Sequence, residues 1–239
     1  MYNRKDLLGL RDLSADEIMT ILNTAKEMKA KIDNPSLRDD SLSKSSIVTL
    51  FYENSTRTKM SFMLAGDYQG AIVKDLGVAT SSVSKGESLV DTGVTLDQMG
   101  INIMIIRHQM TGAAHLLAKN VKASVVNAGD GSNEHPTQAL LDLFTIMEKK
   151  GSFEGLKVVI LGDISHSRVA RSNAFGLTKL GAKVTLAGPS TLVSNSMKSL
   201  GVEVETDIPK AIKDADVVMG LRIQFERQKN MPFPSLREY

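Results

Sequence analysis

The chain has 239 residues, of which 42% are hydrophobic and 23% are charged, as in ordinary globular proteins. Its 29 Lys and Arg residues against 27 Asp and Glu residues leave a net charge of +2, so no strong field favours nucleic acid or an acidic membrane. The absence of cysteine excludes disulfides, thiolate catalysis and cysteine-ligated metal sites. The apolar runs are too short to span a bilayer, and the N-terminus lacks the apolar segment of a signal peptide. We therefore expect a soluble, cytoplasmic protein.

The first predicted element is a helix that begins with a capping box of Ser14 and Glu17 and ends at Asn34-Pro35. Short apolar runs then alternate with amphipathic stretches. The apolar runs predict strands at Ser46–Tyr52, Ala71–Lys74, Ile101–Arg107, Ser124–Asn127, Lys157–Gly162, Lys183–Ala187, Val202–Glu205 and Asp216–Leu221. The amphipathic stretches predict helices near Thr56–Gln69, Glu87–Met99, Pro136–Lys149, Ser167–Leu180 and Pro209–Lys213.

This alternation predicts an α/β fold with parallel sheets flanked by helices. The segment from Lys149 to Gly155 interrupts the pattern and divides it into two series. We therefore expect a first domain over residues 1–135, a connecting helix over 136–150 and a second domain over 151–239. Ligands bind at the carboxyl ends of the strands in such sheets, so the polar loops there are the candidate site.

The segment Ser55-Thr56-Arg57-Thr58 lies between an apolar strand and a helix. Hydroxyl groups, first-turn N–H groups and a guanidinium together suit a phosphate group. The same residue types also serve as simple helix N-caps, and that alternative stays open. The absence of a Gly-x-x-x-x-Gly-Lys loop excludes a nucleoside triphosphate cradle of the usual kind.

The segment His135-Pro136-Thr137-Gln138 marks the start of another helix, with Pro136 at its first position. An imidazole beside an amide can polarise a carbonyl and hold its partner group. A histidine that only caps the helix is the alternative interpretation. A third polar segment, Ser81–Ser88, carries Lys85 and is either a solvated loop or a mobile lid.

The second domain offers two further strand ends, Gly162–Arg168 and the segment that carries Arg222 and Gln224. Arg168 and Arg222 could clamp the carboxylates of a small acid, although surface ion pairing is the simpler role for either alone. The Gly-x-Gly-x-x-Gly and Gly-x-Ser-x-Gly patterns are absent, which weighs against a nicotinamide cofactor and a serine hydrolase. The histidines have no partners at metal-ligand spacing, so neither a metal nor another cofactor is expected.

Taken together, these motifs resemble the aspartate and ornithine carbamoyltransferases. Ser55–Thr58 resembles the carbamoyl phosphate signature of that family, and His135–Gln138 follows it 80 residues later. The segments Ser81–Glu87, Gly162–Asn173 and Leu221–Arg227 resemble the aspartate enzymes, and the Ser-Met-Gly loop of the ornithine enzymes is absent. Family chains run longer than this one, so we expect the second domain to be incomplete.

The resemblance implies transfer of a carbamoyl group from carbamoyl phosphate to L-aspartate in pyrimidine synthesis. The first domain would bind carbamoyl phosphate and the second would bind aspartate. The implied carbamoyl phosphate ligands are Ser55, Thr56, Arg57, Thr58, Ser81, Lys85, Arg107, His135 and Gln138. Among these, the implied catalytic residues are Arg57, Thr58, Lys85, Arg107 and His135. The implied aspartate ligands are Lys85, Arg168, Arg222 and Gln224.

The resemblance also implies a homotrimer in which Ser81 and Lys85 reach into a neighbouring subunit's site, with regulatory chains possible. Two alternatives remain open at this point. One is a carbamoyltransferase for another amine such as ornithine, which would need an acidic acceptor pocket. The other is a non-catalytic homologue or subunit that binds anions.

Overall fold

The computed structural model describes residues 2–38, 40–78 and 82–222. These residues form two compact units, the first of residues 2–9 with 19–137 and the second of residues 10–18 with 138–222. The strands are β1 (Ser46–Phe51), β2 (Ile72–Leu76), β3 (Ile103–His108), β4 (Ser124–Asp130), β5 (Lys157–Leu161), β6 (Lys183–Ala187), β7 (Glu203–Glu205) and β8 (Val217–Gly220). The helices are α1 (Ala15–Asp33), α2 (Thr56–Asp67), α3 (Leu89–Gln98), α4 (Ala113–Asn120), α5 (Pro136–Lys150), α6 (Arg168–Lys179) and α7 (Ile208–Ile212).

Each unit contains one sheet of parallel strands. The first sheet has the order β2-β1-β3-β4 and the second has the order β7-β6-β5-β8. The predicted fold class, with two parallel sheets and helices between their strands, is therefore confirmed. None of the helices within the described residues is both long and apolar enough to cross a membrane.

Alternate residues of the central strands in the first sheet pack into different hydrophobic clusters. Val48 and Leu50 of β1 pack with Met104 and Ile106 of β3 in one cluster. Ile47 and Phe51 pack with Ile105 in the other. Because side chains alternate across a strand, both faces of this sheet are covered. Burial on both faces explains why the sequences of β1 and β3 are continuously apolar.

Two local differences from the sequence prediction have simple causes. Helix α4 was not predicted, because it has only eight residues and its N-cap is Gly112 rather than a polar capping residue. Strand β2 extends to Leu76, beyond the predicted end at Lys74. Its backbone continues to pair with Thr49 and Leu50 of β1 through a polar residue, Asp75.

The N-terminal segment of residues 10–18 groups with the second unit through α6. The Lys179 ammonium donates hydrogen bonds to the carbonyl oxygens of Leu10 (2.8 Å), Leu13 (2.6 Å) and Arg11. The Arg11 guanidinium lies 5.0 Å from the centre of the Phe175 ring. One lysine therefore satisfies three carbonyl groups of a segment that is distant in sequence.

Replacement of Lys179 by Met should lower the free energy of unfolding of the chain. Methionine keeps most of the side-chain volume but removes hydrogen bonds to a charged group, worth about 1.5–3 kcal/mol for a good example. We expect a loss of about 2 kcal/mol in urea unfolding, because the site is partly exposed. The exposed Lys183→Met change is the control and should cost under about 0.5 kcal/mol. Equal stability of both variants would contradict the anchoring role.

Candidate active site

The N-terminus of α2 presents backbone N–H groups without a side-chain cap. Ser55 occupies the N-cap position with extended backbone angles (φ −160°, ψ 92°), but its hydroxyl makes no capping hydrogen bond. The first intrahelical bond runs from the Lys59 N–H to the Ser55 carbonyl (3.1 Å), so the preceding first-turn N–H groups have no helical acceptor. This arrangement favours an anion site over a simple cap.

Arg57 lies in this first turn with an exposed side chain. Its guanidinium makes no hydrogen bond or ion pair with the residues that the structure describes. Arg107, by contrast, donates from Nε to Oε2 of Glu53 (3.1 Å), and both of these side chains are half-buried. The two arginines therefore differ, since one is held by an internal carboxylate and the other is available to an external anion.

An open cleft of about 510 Å³ lies beside the start of α2 and is lined by Ser55, Thr56, Lys59 and Asp75, among others. Lys59 Nζ lies 2.9 Å from Oδ2 of Asp75, and the buried Thr49 hydroxyl donates to Oδ1 at 2.6 Å. Partial burial raises the pKa of Asp75, but the hydrogen bonds from Lys59 and Thr49 and the Lys59 charge outweigh it, so the pKa is lowered. Asp75 therefore stays ionised and balances the charge of Lys59.

The strand register brings three carboxyl ends of the first sheet together. Phe51 at the end of β1 pairs with Arg107 of β3, and His108 pairs with Asp130 at the end of β4. The pairing between β3 and β4 shifts between Ile106 and His108. The same edge of the sheet consequently carries Arg107 and the starts of the loops that lead to Ser55–Thr58 and His135.

Asp130 organises the loop that leads to His135. Its buried carboxylate accepts hydrogen bonds from the Gly112 N–H (2.7 Å), the Asn127 side-chain amide (2.8 Å) and the Glu134 N–H (3.2 Å). Gly131 follows with φ +49°, and a Cβ there would lie 2.6 Å from the Thr111 nitrogen. The backbone of the loop is thus tightly constrained just before His135.

His135 is buried and immediately precedes α5, which begins at Pro136 as predicted. Its Nδ1 lies 3.4 Å from the Thr137 hydroxyl. His108, at the end of β3, has a different environment: burial lowers its pKa, although the Glu53 and Asp130 carboxylates act in the opposite direction. Nδ1 of His108 accepts the Met110 N–H at 2.9 Å, so its neutral ring carries the proton on Nε2.

The second unit brings Arg168 and Arg222 to one sheet edge, because they follow the paired strands β5 and β8. Gly162 allows the segment after β5 to lie close to the segment after β8. Its φ is +129°, and a Cβ at this position would lie only 2.6 Å from the Leu221 carbonyl oxygen. Arg168 is buried at the first position of α6, whereas Arg222 is exposed. In the intervening loop, His166 Nδ1 lies 2.8 Å from the buried Asp163 carboxylate.

The remaining predicted residues have separate locations. Gln138 lies in the first turn of α5 and donates from its amide to Asp142 (3.0 Å). Lys85 is exposed at the end of a single 3₁₀ turn, Ser82–Lys85, in the segment for which we expected a loop. Ser81 and Gln224 lie outside the described residues. Within the described ranges, His, Asp and Glu side chains form no group of three or more that could hold a metal ion.

Sequence reasoning missed the residues that hold the site in shape. Glu53, Asp75 and Asp130 each fix a cation or a loop beside a predicted site residue. The Gly-Asp-Gly pattern around Asp130 was a usable signal, because an acidic residue between glycines often organises a turn. Glu53 and Asp75 gave no such signal, since their partners are 54 and 16 residues away.

Comparison with known proteins gives consistent results. Residues 5–148 match the family described as aspartate/ornithine carbamoyltransferase, carbamoyl-P binding domain. The chain is 63% identical to the aspartate carbamoyltransferase catalytic subunit of Acetivibrio thermocellus over 98% of this chain and 75% of that protein. It is 57% identical to the corresponding subunit of Caldanaerobacter subterraneus, over 99% of this chain and 77% of that protein.

Solved structures of aspartate transcarbamoylase from Trypanosoma cruzi share the fold. The complex with carbamoyl phosphate has a TM-score of 0.87 at 29% identity and covers 97% of this chain and 75% of that one. The complex with aspartate and phosphate has a TM-score of 0.86 at 30% identity, over 96% of this chain and 78% of that one. The family resemblance inferred from the motifs is confirmed over nearly the whole chain, which belongs to the aspartate and ornithine carbamoyltransferases and, within them, to the catalytic subunits of the aspartate enzyme.

Proposed function

We propose that this chain transfers the carbamoyl group of carbamoyl phosphate to the amino group of L-aspartate. The products are N-carbamoyl-L-aspartate and phosphate. This reaction is an early step of de novo pyrimidine synthesis. The observation that carries the proposal is the uncapped N-terminus of α2 beside Arg57, in a chain 63% identical to an aspartate carbamoyltransferase catalytic subunit. Solved relatives from Trypanosoma cruzi in complex with carbamoyl phosphate and with carbamoyl aspartate support it further.

The first domain, residues 1–135, binds carbamoyl phosphate in this proposal. Ser55–Thr58 surround the phosphate with hydroxyl groups, first-turn N–H groups and the Arg57 guanidinium. Arg107 bridges the phosphate and the carbonyl group, and to do so its guanidinium leaves Glu53. His135 and Thr58 donate to the carbonyl oxygen as it gains negative charge in the transition state.

The second domain, residues 151–239, binds aspartate, and the helix of residues 136–150 connects the two. Arg168, Arg222 and Gln224 hold the two carboxylates, so that the neutral amine faces the carbonyl carbon. Two arginines at one sheet edge favour a dicarboxylic acceptor over ornithine, whose side chain carries a positive charge. Similarity to catalytic subunits does not support the alternative of a non-catalytic anion-binding homologue.

The chemistry requires no dedicated general base. The aspartate nitrogen forms a bond to the carbonyl carbon, the bond from that carbon to the phosphate oxygen breaks, and the departing phosphate accepts the amine proton. Neither a metal nor a cofactor takes part in this step. Positioning and complementary charge supply the rate enhancement.

We further propose a cytoplasmic homotrimer with active sites shared between subunits. Ser81 and Lys85 of one subunit then complete the phosphate and aspartate site of its neighbour. The exposed position of Lys85, at the end of a short turn, is compatible with such a contact. Regulatory chains are a possible further partner of this assembly.

Arg57→Ala tests the phosphate site directly. Because the Arg57 side chain is exposed and has no partner within the described part of the chain, its removal should leave the fold intact and lower turnover by on the order of 10³-fold. A colorimetric assay of carbamoyl aspartate measures the rate, and circular dichroism and thermal unfolding measure the fold. The exposed Lys26→Ala change on α1 is the control and should keep full activity. Normal turnover in well-folded Arg57→Ala protein would contradict the assignment.

Mixing inactive Arg57→Ala and Lys85→Ala chains tests the shared site. In hybrid trimers, one interface carries an intact Arg57 and an intact Lys85, so part of the activity should return. The assay follows activity after reversible dissociation and reassociation of the mixed chains, with each variant treated alone as the control. If differently tagged chains prove to exchange and activity stays absent, the sites are not shared between subunits.

A further inference from the structure

The geometry points to Asp142 as a positioning residue that fixes which end of the Gln138 amide is presented to the carbamoyl group. This inference rests on the proposed function, in which Gln138 contacts the carbamoyl amide. It assigns a chemical task to a partly buried carboxylate that lies one helical turn after Gln138 on α5. That task is to distinguish the NH₂ end of the substrate's carbamoyl group from its carbonyl end.

Gln138 Nε2 donates a hydrogen bond to Oδ1 of Asp142 at 3.0 Å. An ionised carboxylate only accepts hydrogen bonds, so it selects the NH₂ end of the glutamine amide. The oxygen Oε1 of Gln138 is then left as the acceptor for a ligand. A glutamine without this neighbour could turn its amide around at little cost.

Asn173 holds the other side of the same carboxylate. Its Nδ2 donates to Oδ2 of Asp142 at 2.7 Å and to the carbonyl oxygen of Val169 at 3.1 Å. Asn173 is fully buried on α6, and its own amide cannot reverse without setting its oxygen against both of these acceptors. Only one orientation of the two side-chain amides therefore lets both Asn173 and Gln138 donate a hydrogen bond to Asp142.

Asp142 acts through hydrogen bonds rather than as half of an ion pair. Burial raises its pKa, and the hydrogen bonds from Asn173 and Gln138 act in the opposite direction. No lysine or arginine of the described residues forms a salt bridge with it. A partly buried carboxylate without a cation is costly to keep, and here both of its oxygens accept hydrogen bonds from amides.

The orientation of the Gln138 amide affects how the carbamoyl group of the substrate binds. The carbamoyl group carries an NH₂ donor and a C=O acceptor of nearly the same size, so shape alone does not distinguish them. An acceptor at Gln138 binds the NH₂ end and leaves the carbonyl oxygen for His135 and Thr58. A reversed glutamine would oppose two donors and favour the unproductive orientation of the substrate.

Asp142→Asn is the decisive substitution. Because Asn173 still donates on one side, the new asparagine turns its oxygen toward Asn173 and its NH₂ toward Gln138, which forces the Gln138 amide to reverse. We expect kcat/KM for carbamoyl phosphate to fall 10- to 100-fold. Inhibition by acetyl phosphate, which has a methyl group in place of the NH₂, should change less than twofold, as should inhibition by inorganic phosphate. Glu148→Gln, an exposed acid-to-amide change on the same helix, is the control for all three measurements.

Gln138→Ala and the double variant separate the inference from the proposed function. Gln138→Ala should show the same selective loss, and Asp142→Asn should add less than twofold in that background. A selective loss in Gln138→Ala but not in Asp142→Asn overturns the positioning role and leaves the proposed function intact. No selective loss in Gln138→Ala removes Gln138 from the carbamoyl site and overturns the inference with it.

Asn173→Ala provides an independent variant in case Asp142→Asn does not fold. It leaves the carboxylate in place but frees it to turn, so a smaller selective loss for carbamoyl phosphate is expected. Equal losses for carbamoyl phosphate, acetyl phosphate and inorganic phosphate would indicate a merely structural effect and would contradict the inference.

Discussion

The parallel register of β1, β3 and β4 determines where the chemistry of the first unit is assembled. Phe51 lies beside Arg107 and His108 beside Asp130, so residues 56 and 22 positions apart in the sequence meet at one edge of the sheet. A shift of one residue in this pairing would turn each alternating side chain to the opposite face, and the two hydrophobic clusters prevent that shift. Packing in the core therefore fixes the positions of polar groups that lie outside it.

Charge balance is the second feature of the candidate site. Lys59 and Arg107 each have a carboxylate partner within the chain, in Asp75 and Glu53 respectively. Arg57 has none among the described residues, and it lies at a helix N-terminus whose partial charge also favours an anion. Arg57 could therefore take up an incoming phosphate without losing an internal partner, whereas Arg107 would first have to leave Glu53.

Much of the fold followed from the sequence because strong local signals coincided with it. The continuous apolar runs of β1 and β3 and the capping box at Ser14 predicted elements that the structure contains. Helix α4 was missed because Gly112 gives no capping signal, and the grouping of residues 10–18 with the second unit depends on Lys179, more than 160 positions away. Long-range contacts of this kind leave no periodic trace in a sequence.

In the candidate site, too, the sequence indicated the local motifs but not the residues that support them. Ser55–Thr58 and His135–Gln138 were identified because short motifs at strand ends concentrate unusual residue types. Their supporting residues were not identified, since an aspartate such as Asp142 inside a helix resembles any solvated acid until its hydrogen-bond partners are known. The sequence thus predicted candidate ligand groups, and the structure added the residues that form hydrogen bonds with some of them.

A competition between acceptors tests whether L-aspartate is the substrate that receives the carbamoyl group. The purified chain is supplied with ¹³C-labelled carbamoyl phosphate and equal concentrations of L-aspartate and L-ornithine, and the products are followed by NMR. We expect the label to appear in N-carbamoyl-L-aspartate as phosphate is released. Label in citrulline, or phosphate release with no carbamoylated amine, would contradict it.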